Sequence, residues 1–241
     1  MISRLIILFF ITFLINTSFD FSVYASEESI YKFSWLDPDK EVYVLQNRKF
    51  RKAGKFHFNA GYAHLVSGAF VDGAGLQGRA GYFFTEDWGF EVLYTKTSSK
   101  ENDTAAAVRH QVGGGGSYPF SRMVDGYVGG MILWSPFYAK FNTFNQVLYL
   151  DWILGLGYSK LDETNNRDEL SGITPFVLTK ETHGCILWDL AFKFYLTESW
   201  NIRTDLTVQH YQAQKPIQNS TPSDKSWYSN YDFVVSLGFN I

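Results

Sequence analysis

The sequence predicts an all-β protein, an eight-stranded antiparallel transmembrane β-barrel. Three observations predict this fold. Aromatic residues make up 18% of the chain, although the mean hydropathy is only -0.13, as expected when every second strand residue faces lipid. Segments with a two-residue alternation of apolar and polar side chains recur from Lys55 to the end. Two distant turns, Tyr82–Trp88 and Phe194–Trp200, share the pattern aromatic-x-apolar-Thr-Glu-x-Trp, which is typical of turns at a membrane surface.

The amino-acid composition and motifs of the chain argue against several functions. The balance of 21 Lys and Arg against 24 Asp and Glu gives a net charge of -3, which disfavours nucleic acid as a partner. Cys185 is the only cysteine, so no cysteine-based structural zinc site is expected. Gly73–Gly78 matches a dinucleotide-binding glycine pattern, but a predicted strand follows it instead of a helix. We therefore expect no cofactor and no bound metal.

The N-terminus predicts export. Residues 1–25 contain Arg4, the apolar run Leu5–Leu14 and a final Ala25, which together predict a cleaved signal peptide. An uncleaved anchor is the alternative, although a membrane-spanning helix needs about 20 apolar residues. Residues 26–54 form a predicted periplasmic lead-in, whose basic run Arg48–Lys52 is expected near the inner leaflet surface or in a solvated tether. The predicted barrel occupies residues 55–241.

The first half of the barrel contains four predicted strands. In the first, Phe56, Phe58, Ala60 and Tyr62 share one face. The second and third strands alternate in the same way on either side of the first Thr-Glu-x-Trp turn, and the fourth ends at Trp134 and Ser135. Their predicted bounds are about Lys55–Leu65, Ala74–Phe84, Trp88–Thr97 and Gly126–Ser135.

The second half contains four more. The seventh strand alternates most clearly, because Ile202, Leu206 and Val208 occupy one face and a polar series occupies the other. That polar series is Asn201, Arg203, Asp205, Thr207 and Gln209. The predicted bounds are about Phe144–Ser159, His183–Leu196, Trp200–Tyr211 and Tyr228–Ile241. Each strand is long enough for a tilted crossing, which needs about 9–11 residues.

Connector lengths predict sidedness. Short connectors are expected at Thr85–Asp87, Ser135–Thr143 and Glu198–Ser199, and they alternate with long ones. The long connectors are Ser98–Asp125, Lys160–Thr182 and Gln212–Ser226. Outer-membrane barrels have short periplasmic turns and longer outer loops, so we expect an outer-membrane location with both mature termini in the periplasm. The membrane-interface aromatics are expected to be Tyr82, Trp88, Trp134, Tyr195 and Trp200.

Two other folds are alternatives to this prediction. A soluble β-sandwich would also alternate, but its outer face would meet water, whereas all eight predicted strands carry a largely apolar, aromatic face. A ten-stranded barrel would add Val108–Tyr118 and Ile173–Lys180. Pro175 and the run Gly113–Gly116 disfavour those extra strands.

One stretch resembles a known family. Leu133–Phe141 is followed by a strand in which Asp151 faces inward by parity, and the lead-in Tyr43–Arg48 and the turn Phe84–Trp88 fit the same pattern. The sequence resembles small outer-membrane β-barrel domain proteins of myxobacteria and Bdellovibrio-like predatory bacteria. The resemblance extends from about Tyr43 to the C-terminus and implies an outer-membrane barrel of a predatory or social Gram-negative bacterium.

The inward faces predict a network of charges. An eight-stranded barrel has an interior just wide enough for side chains, and unpaired buried charges are costly. We therefore expect paired groups that plug the lumen; the alternative is a narrow channel that slightly prefers cations. The predicted lumen network is Arg79, Glu91, Asp151, Asp189, Lys193, Arg203, Asp205 and Asp232.

No catalytic constellation is evident, so we expect no enzyme activity. His210 lies near Ser220 and Ser226 in sequence but points to lipid by parity, and His110 and His183 have no evident partners. The acidic stretch 162–169 could bind calcium weakly, although it lacks EF-hand spacing and a solvated loop is the favoured interpretation.

The expected partners belong to the membrane. The ending Phe239–Ile241 partly fits the signal that barrel-assembly machinery reads, and outer-membrane lipid should surround the barrel. Gly78, Ala80 and Gly130 lie beside large rings on the lipid face, which makes a homo-oligomer that contacts or encloses lipid plausible. A single monomeric species in native mass spectrometry would contradict that expectation. The expected role is structural or interaction-mediating, through the outer loops.

Overall fold

In the computed structural model of the protein, eight antiparallel strands close into a ring in chain order, with β1 paired to β8. The structure describes residues 48–66, 68–110, 117–143, 146–170, 177–217 and 221–241. The predicted signal peptide lies outside them, and the lead-in is described only from Arg48. The strands are β1 Lys55–Leu65, β2 Val71–Phe83, β3 Trp88–Glu101, β4 Arg122–Thr143, β5 Gln146–Asn165, β6 Thr179–Tyr195, β7 Trp200–Gln214 and β8 Lys225–Asn240. The predicted eight-stranded antiparallel barrel is confirmed.

Most strands are longer at one end than the alternation predicts. For example, β6 begins at Thr179 instead of His183, and β8 begins at Lys225 instead of Tyr228. Many of the added residues are polar on both faces, as in Thr179–Thr182 of β6, so they give no clear two-residue pattern, yet their backbone groups still pair with neighbouring strands. The connectors at this end, here called the loop end, are therefore shorter than predicted. The opposite end, which carries both Thr-Glu-x-Trp turns, is called the turn end.

The predicted short turn at Ser135–Thr143 is wrong. Strand β4 continues to Thr143, and the register jumps from Trp134 opposite Leu154 to Phe137 opposite Trp152. Pro136 has no N–H group to donate to the ladder, so Ser135 and Pro136 together oppose a single residue in a β-bulge. A proline inside a strand is tolerated at such a bulge.

The ten-strand alternative is also wrong. The first extra strand was predicted at Val108–Tyr118, but Val108 and Arg109 belong to the helix α1, Asp103–Arg109. Asn102 caps this helix by accepting a hydrogen bond from the Ala105 N–H. Of the second extra strand, Thr179 and Lys180 belong to β6, and residues 173–176 lie outside the described residues. A second short helix, α2, spans Arg167–Leu170.

The outward face is a belt of large apolar side chains. Leu76, Tyr94, Ile132 and Leu156 are each more than half exposed, which is costly in water and favourable in lipid. Trp88 and Trp134 stack on this face near the turn end, with ring centroids 6.1 Å apart. Across the described residues, no helix has the length and apolar character that a membrane crossing requires.

One predicted interface aromatic is placed differently. Tyr82, Trp88, Trp134 and Trp200 lie on the outer surface near the turn end, but Tyr195 is only 6% exposed and points into the barrel. The side chains of a strand alternate between its faces, so Tyr195 shares the inward face of Lys193, and Phe194 occupies the outward position. The assignment of Tyr195 to the membrane interface is therefore wrong.

The interior combines an apolar cluster with buried charged and amide side chains. The wall formed by β4, β5 and β6 contributes a packed apolar cluster that includes Met131, Leu133, Ile153 and Leu187. Buried charged and amide side chains come from every strand except β4, with the longest series on β7. The two-residue period predicted many of these charged residues, whereas the apolar inward residues were hidden by equally apolar neighbours on the lipid face.

Candidate functional site

The centre of the lumen is crossed by Arg79 from β2. Its guanidinium donates to Glu91 Oε1 at 2.9 Å, to Asp189 Oδ1 at 3.0 Å and to Thr207 Oγ1 at 2.6 Å. It also lies 3.2 Å from Asp205 Oδ1. Arg79 therefore joins β2 to β3, β6 and β7 across the barrel, and no wide aqueous path passes through its position.

A second arginine completes this network. Arg203 Nη1 donates to Glu91 Oε2 at 2.5 Å, and its Nε donates to Asp205 Oδ1 at 2.7 Å. Its Nη2 reaches Asp189 Oδ2 at 3.2 Å. Two guanidiniums thus share three fully buried carboxylates, an arrangement in which each charge has opposite charges around it. We call these five residues the central network.

His57 joins the same network from β1. Its Nε2 lies 2.7 Å from Glu91 Oε2. The opposing residue on β2 is Gly81, and a Cβ atom there would lie 2.5 Å from the His57 ring. Only glycine leaves room for the imidazole to lie over the sheet and reach Glu91. The predicted lumen network contained only Asp, Glu, Lys and Arg, so it did not include His57.

The other three predicted lumen residues lie outside the central network. Asp151 pairs with Lys52 and Tyr195 towards the turn end. Lys193 donates to Asn240 Oδ1 at 2.8 Å. Asp232, towards the loop end, accepts from Asn230 at 3.1 Å. All eight predicted residues are therefore buried in the barrel, but they form separate groups instead of one network.

The lead-in enters the barrel at the turn end. Lys52 is only 3% exposed, and its Nζ lies 2.9 Å from Asp151 Oδ2 and 2.6 Å from Ser135 Oγ. Phe50 stacks on Tyr195 with ring centroids 4.8 Å apart and meets Tyr149 edge-on. The basic run was predicted near the inner leaflet surface or in a solvated tether, but Phe50 and Lys52 are buried and close this end of the lumen.

The first Thr-Glu-x-Trp turn holds the lead-in in place. Glu86 accepts hydrogen bonds from the Lys52 N–H at 3.1 Å and the Ala53 N–H at 3.4 Å, and it pairs with Arg48. Gly54 then adopts φ +76° and turns the chain into β1. The equivalent Glu198 of the second turn is exposed. Two turns that are alike in sequence therefore differ in role, because the described part of the lead-in, from Arg48, contacts the first of them.

Replacing Glu86 with Gln should loosen the lead-in at neutral pH. Loss of a charge-assisted contact of this exposure costs about 1 kcal/mol, so hydrogen exchange at the Lys52 and Ala53 amides should rise about fivefold. Partial burial alone would raise the pKa of Glu86, but the Lys52 and Ala53 N–H groups and Arg48 outweigh it and lower the pKa from its ordinary value of 4.5. Because the folded-state pKa is depressed, the contact is retained at neutral pH and is lost as pH falls through that lowered value.

The twin turn supplies the matched control for this prediction. Glu198→Gln makes the same chemical change in the same turn sequence, so exchange at Lys52 and Ala53 should stay at the wild-type rate. Equal effects of the two substitutions would show that Glu86 does not hold the lead-in.

At the loop end, Arg109 connects the ends of three elements. Its guanidinium donates to both oxygens of Glu101 at the end of β3 and to both oxygens of Glu169 in α2. Arg109 lowers the pKa of Glu169. This bidentate pairing joins α1 and α2 to the end of β3 at the loop end.

His183 has partners that the sequence analysis did not find. It points inward at the loop end, where its Nε2 lies 3.2 Å from Glu163 Oε1 and 3.5 Å from Glu181 Oε2. Glu163 and Glu181 are separated from each other by the connection between β5 and β6, and strand pairing places them directly opposite. The expectation that His183 lacks partners is wrong, because sequence distance hides a cross-strand pair.

His210 is bonded in a way that opposes catalysis. Its Nε2 accepts from the Trp188 indole N–H at 2.9 Å, so Nδ1 carries the proton and donates to Ser229 Oγ at 2.7 Å. A histidine base must accept the proton of its serine, and this one donates instead. Ser226, expected near His210, is three residue pairs away along the strands, opposite Ala213, and Ser220 lies outside the described residues.

Comparison with known proteins adds little. No family model and no curated protein matches this chain, so the resemblance to a predatory-bacterial family stays an expectation. The N-terminal β-barrel domain of Pseudomonas aeruginosa OprF is 16% identical with a TM-score of 0.45, covering 78% of this chain and 98% of that domain. Yersinia pestis Ail is 13% identical with a TM-score of 0.39, covering 78% of this chain and 99% of Ail. Escherichia coli outer membrane protein W is 14% identical with a TM-score of 0.39, covering 79% of this chain and 99% of that protein. At these values the similarities transfer no function.

Proposed function

We propose that this protein is a closed outer-membrane barrel with a structural or interaction role, carried by its loop end. The observation that carries the proposal is the central network, in which Arg79 and Arg203 span the lumen between Glu91, Asp189 and Asp205. A pore needs a water-filled lining, and this centre is filled by paired side chains. The apolar cluster of β4 to β6 and the docked lead-in occupy further parts of the interior.

An outer-membrane location is supported by the surface. A closed ring leaves no unpaired strand edge, which is the condition for a sheet to cross a membrane, and the outer face is an apolar belt. We place the turn end in the periplasm, because its connectors are short, and the loop end outside. Outer-membrane lipid and the barrel-assembly machinery are the partners that follow from this placement.

The loop end is the surface proposed for interaction. Arg109, Glu101 and Glu169 hold it together, and Asn166 adds hydrogen bonds to the backbone of Pro119 and Ser121. An ordered surface loses little conformational entropy when it binds a partner. We propose no enzyme activity, since His210 donates to Ser229 and is held by Trp188.

A homo-oligomer in the membrane plane is a further part of the proposal. The small residues Ala60, Gly78 and Ala80 line an outward groove of about 750 Å³, with Phe58, Tyr94 and Phe239 on its walls. A Cβ atom added at Gly78 would meet nothing within 4 Å. The groove gives a neighbouring barrel or an acyl chain room to approach the backbone.

The rival function is a narrow solute channel, and conductance separates the two. Purified wild-type protein in planar lipid bilayers should show no discrete current steps, because Arg79 blocks the lumen centre. Current steps that change in size in Arg79→Gln, and are unchanged in Lys96→Gln on the outward face, would overturn the proposal. Lys96 is exposed on β3, so its replacement alters a similar charge without touching the lumen.

A further inference from the structure

The structure places a histidine and two glutamates together at the loop end of the lumen. His183 and Glu181 come from β6, and Glu163 comes from β5. Their side chains are 12%, 19% and 0% exposed, respectively. One ligand-type atom from each lies within 4.8 Å of the other two. This group is separate from the central network and from the Arg109 contacts.

The ring nitrogen of His183 is buried without a hydrogen bond among the described residues. Its Nε2 lies 3.2 Å from Glu163 Oε1 and 3.5 Å from Glu181 Oε2, so it points at one oxygen of each carboxylate. Zinc binds imidazole nitrogen and carboxylate oxygen at about 2.0–2.2 Å, so ligand atoms at tetrahedral corners are about 3.3–3.6 Å apart. The two separations from His183 Nε2 are close to these values, and the two carboxylate oxygens lie within 4.8 Å of each other.

The surrounding residues hold the carboxylate oxygens that face away from His183. Arg167 pairs with Glu181 Oε1, and Tyr211 OH donates to Glu163 Oε2 at 2.9 Å. Metal-binding carboxylates are commonly oriented by such outer hydrogen bonds. The Asn165 side-chain Nδ2 donates to Glu163 Oε1 and to Glu181 Oε2, each at 3.2 Å, so this amide would have to turn away when an ion binds these two oxygens.

We propose that Glu163, Glu181 and His183 form a binding site for a divalent transition-metal ion of the zinc class. Imidazole nitrogen together with carboxylate oxygen suits zinc and its neighbours, whereas calcium takes oxygen ligands. Three protein ligands leave a further position for water or for a group from a partner. The ion would tie β5 to β6 at the mouth, beneath the proposed interaction surface.

Arg122 competes with the ion for Glu163. Its Nη1 lies 3.0 Å from Glu163 Oε1 and 3.1 Å from Glu163 Oε2. A guanidinium this close repels a divalent cation, so binding should strengthen when Arg122 is replaced. Adventitious binding to surface histidines would not respond to this change.

Isothermal titration of the refolded, tag-free full chain with zinc chloride in detergent tests the proposal. We expect one zinc per chain at neutral pH, with no comparable binding of calcium chloride. His183→Gln should weaken zinc binding at least tenfold, and Tyr211→Phe about tenfold. Arg122→Gln should strengthen zinc binding about tenfold. Because this variant keeps all three ligands, it tests the proposal even if His183→Gln fails to fold.

His110→Gln is the matched control, because His110 is an exposed histidine at the end of α1 and should leave zinc affinity unchanged. Equal zinc affinity in wild type and His183→Gln would overturn the proposal. So would an equal loss in His110→Gln, an Arg122→Gln affinity no higher than wild type, or calcium binding as tight as zinc.

Discussion

Replacing Arg79 with Ala should lower the free energy of unfolding by about 3–5 kcal/mol, the usual cost of removing one partner from a buried ionic group. Arg79 contacts Glu91, Asp189 and Asp205, and its loss leaves three buried carboxylates with Arg203 as the remaining arginine of the central network. Urea titration of the protein in lipid vesicles, followed by the gel-mobility difference between folded and unfolded barrel, measures this change.

A double-mutant cycle separates the ionic contact from general damage. Asp189→Ala alone should also be strongly destabilising. The double variant Arg79→Ala with Asp189→Ala should lose less stability than the sum of the two single losses, because both members of the ion pair are removed together. Lys96→Ala on the lipid face is the control and should stay within about 0.5 kcal/mol of wild type. Additive effects of Arg79→Ala and Asp189→Ala would contradict the central network as a coupled unit.

The second large effect should follow from Asp151→Ala. Lys52 Nζ lies 2.9 Å from Asp151 Oδ2, and both side chains are almost fully buried. Without the carboxylate, the Lys52 ammonium has lost its buried counter-charge, and we expect a loss of about 3 kcal/mol. Because Lys52 lies in the lead-in, the barrel can reduce this cost by releasing the segment. Trypsin should therefore cut Asp151→Ala at Arg51 or Lys52 faster than wild type.

A second substitution tests the cause. Lys52→Met keeps much of the side-chain volume and removes the charge, so Asp151→Ala with Lys52→Met should recover part of the lost stability. Asp162→Ala, on the exposed face of the same strand, should have little effect. If the double variant is less stable than Asp151→Ala alone, the ion pair does not explain the docking of the lead-in.

The two-residue alternation of apolar and polar side chains predicted most of the fold. On β7, Asn201, Arg203 and Asp205 were predicted inward from the two-residue period, and all three are buried. Strand ends were less accurate, because near the loop end both faces become polar while the backbone still pairs. The predicted turn at Ser135–Thr143 failed for a local reason, since Pro136 resembles a turn signal in sequence but is accommodated in a bulge.

The two Thr-Glu-x-Trp turns show what sequence alone determined. Their shared pattern correctly located the turns of two hairpins, β2–β3 and β6–β7, because turn geometry depends on adjacent residues. The sequence also identified eight of the inward charged residues from parity, since a strand has only two faces, but it missed Glu163 and Lys52, which are buried as well.

The tertiary structure decided which of those residues meet. Closure of the ring brings Arg79 of β2 against Asp189 of β6, and the register of β5 with β6 places His183 diagonally across from Glu163; neither contact has a sequence signal. It also distinguished Glu86 from Glu198, since the described part of the lead-in contacts Glu86. Contacts across a barrel depend on strand register and ring closure, which are properties of the whole sheet and not of any one segment.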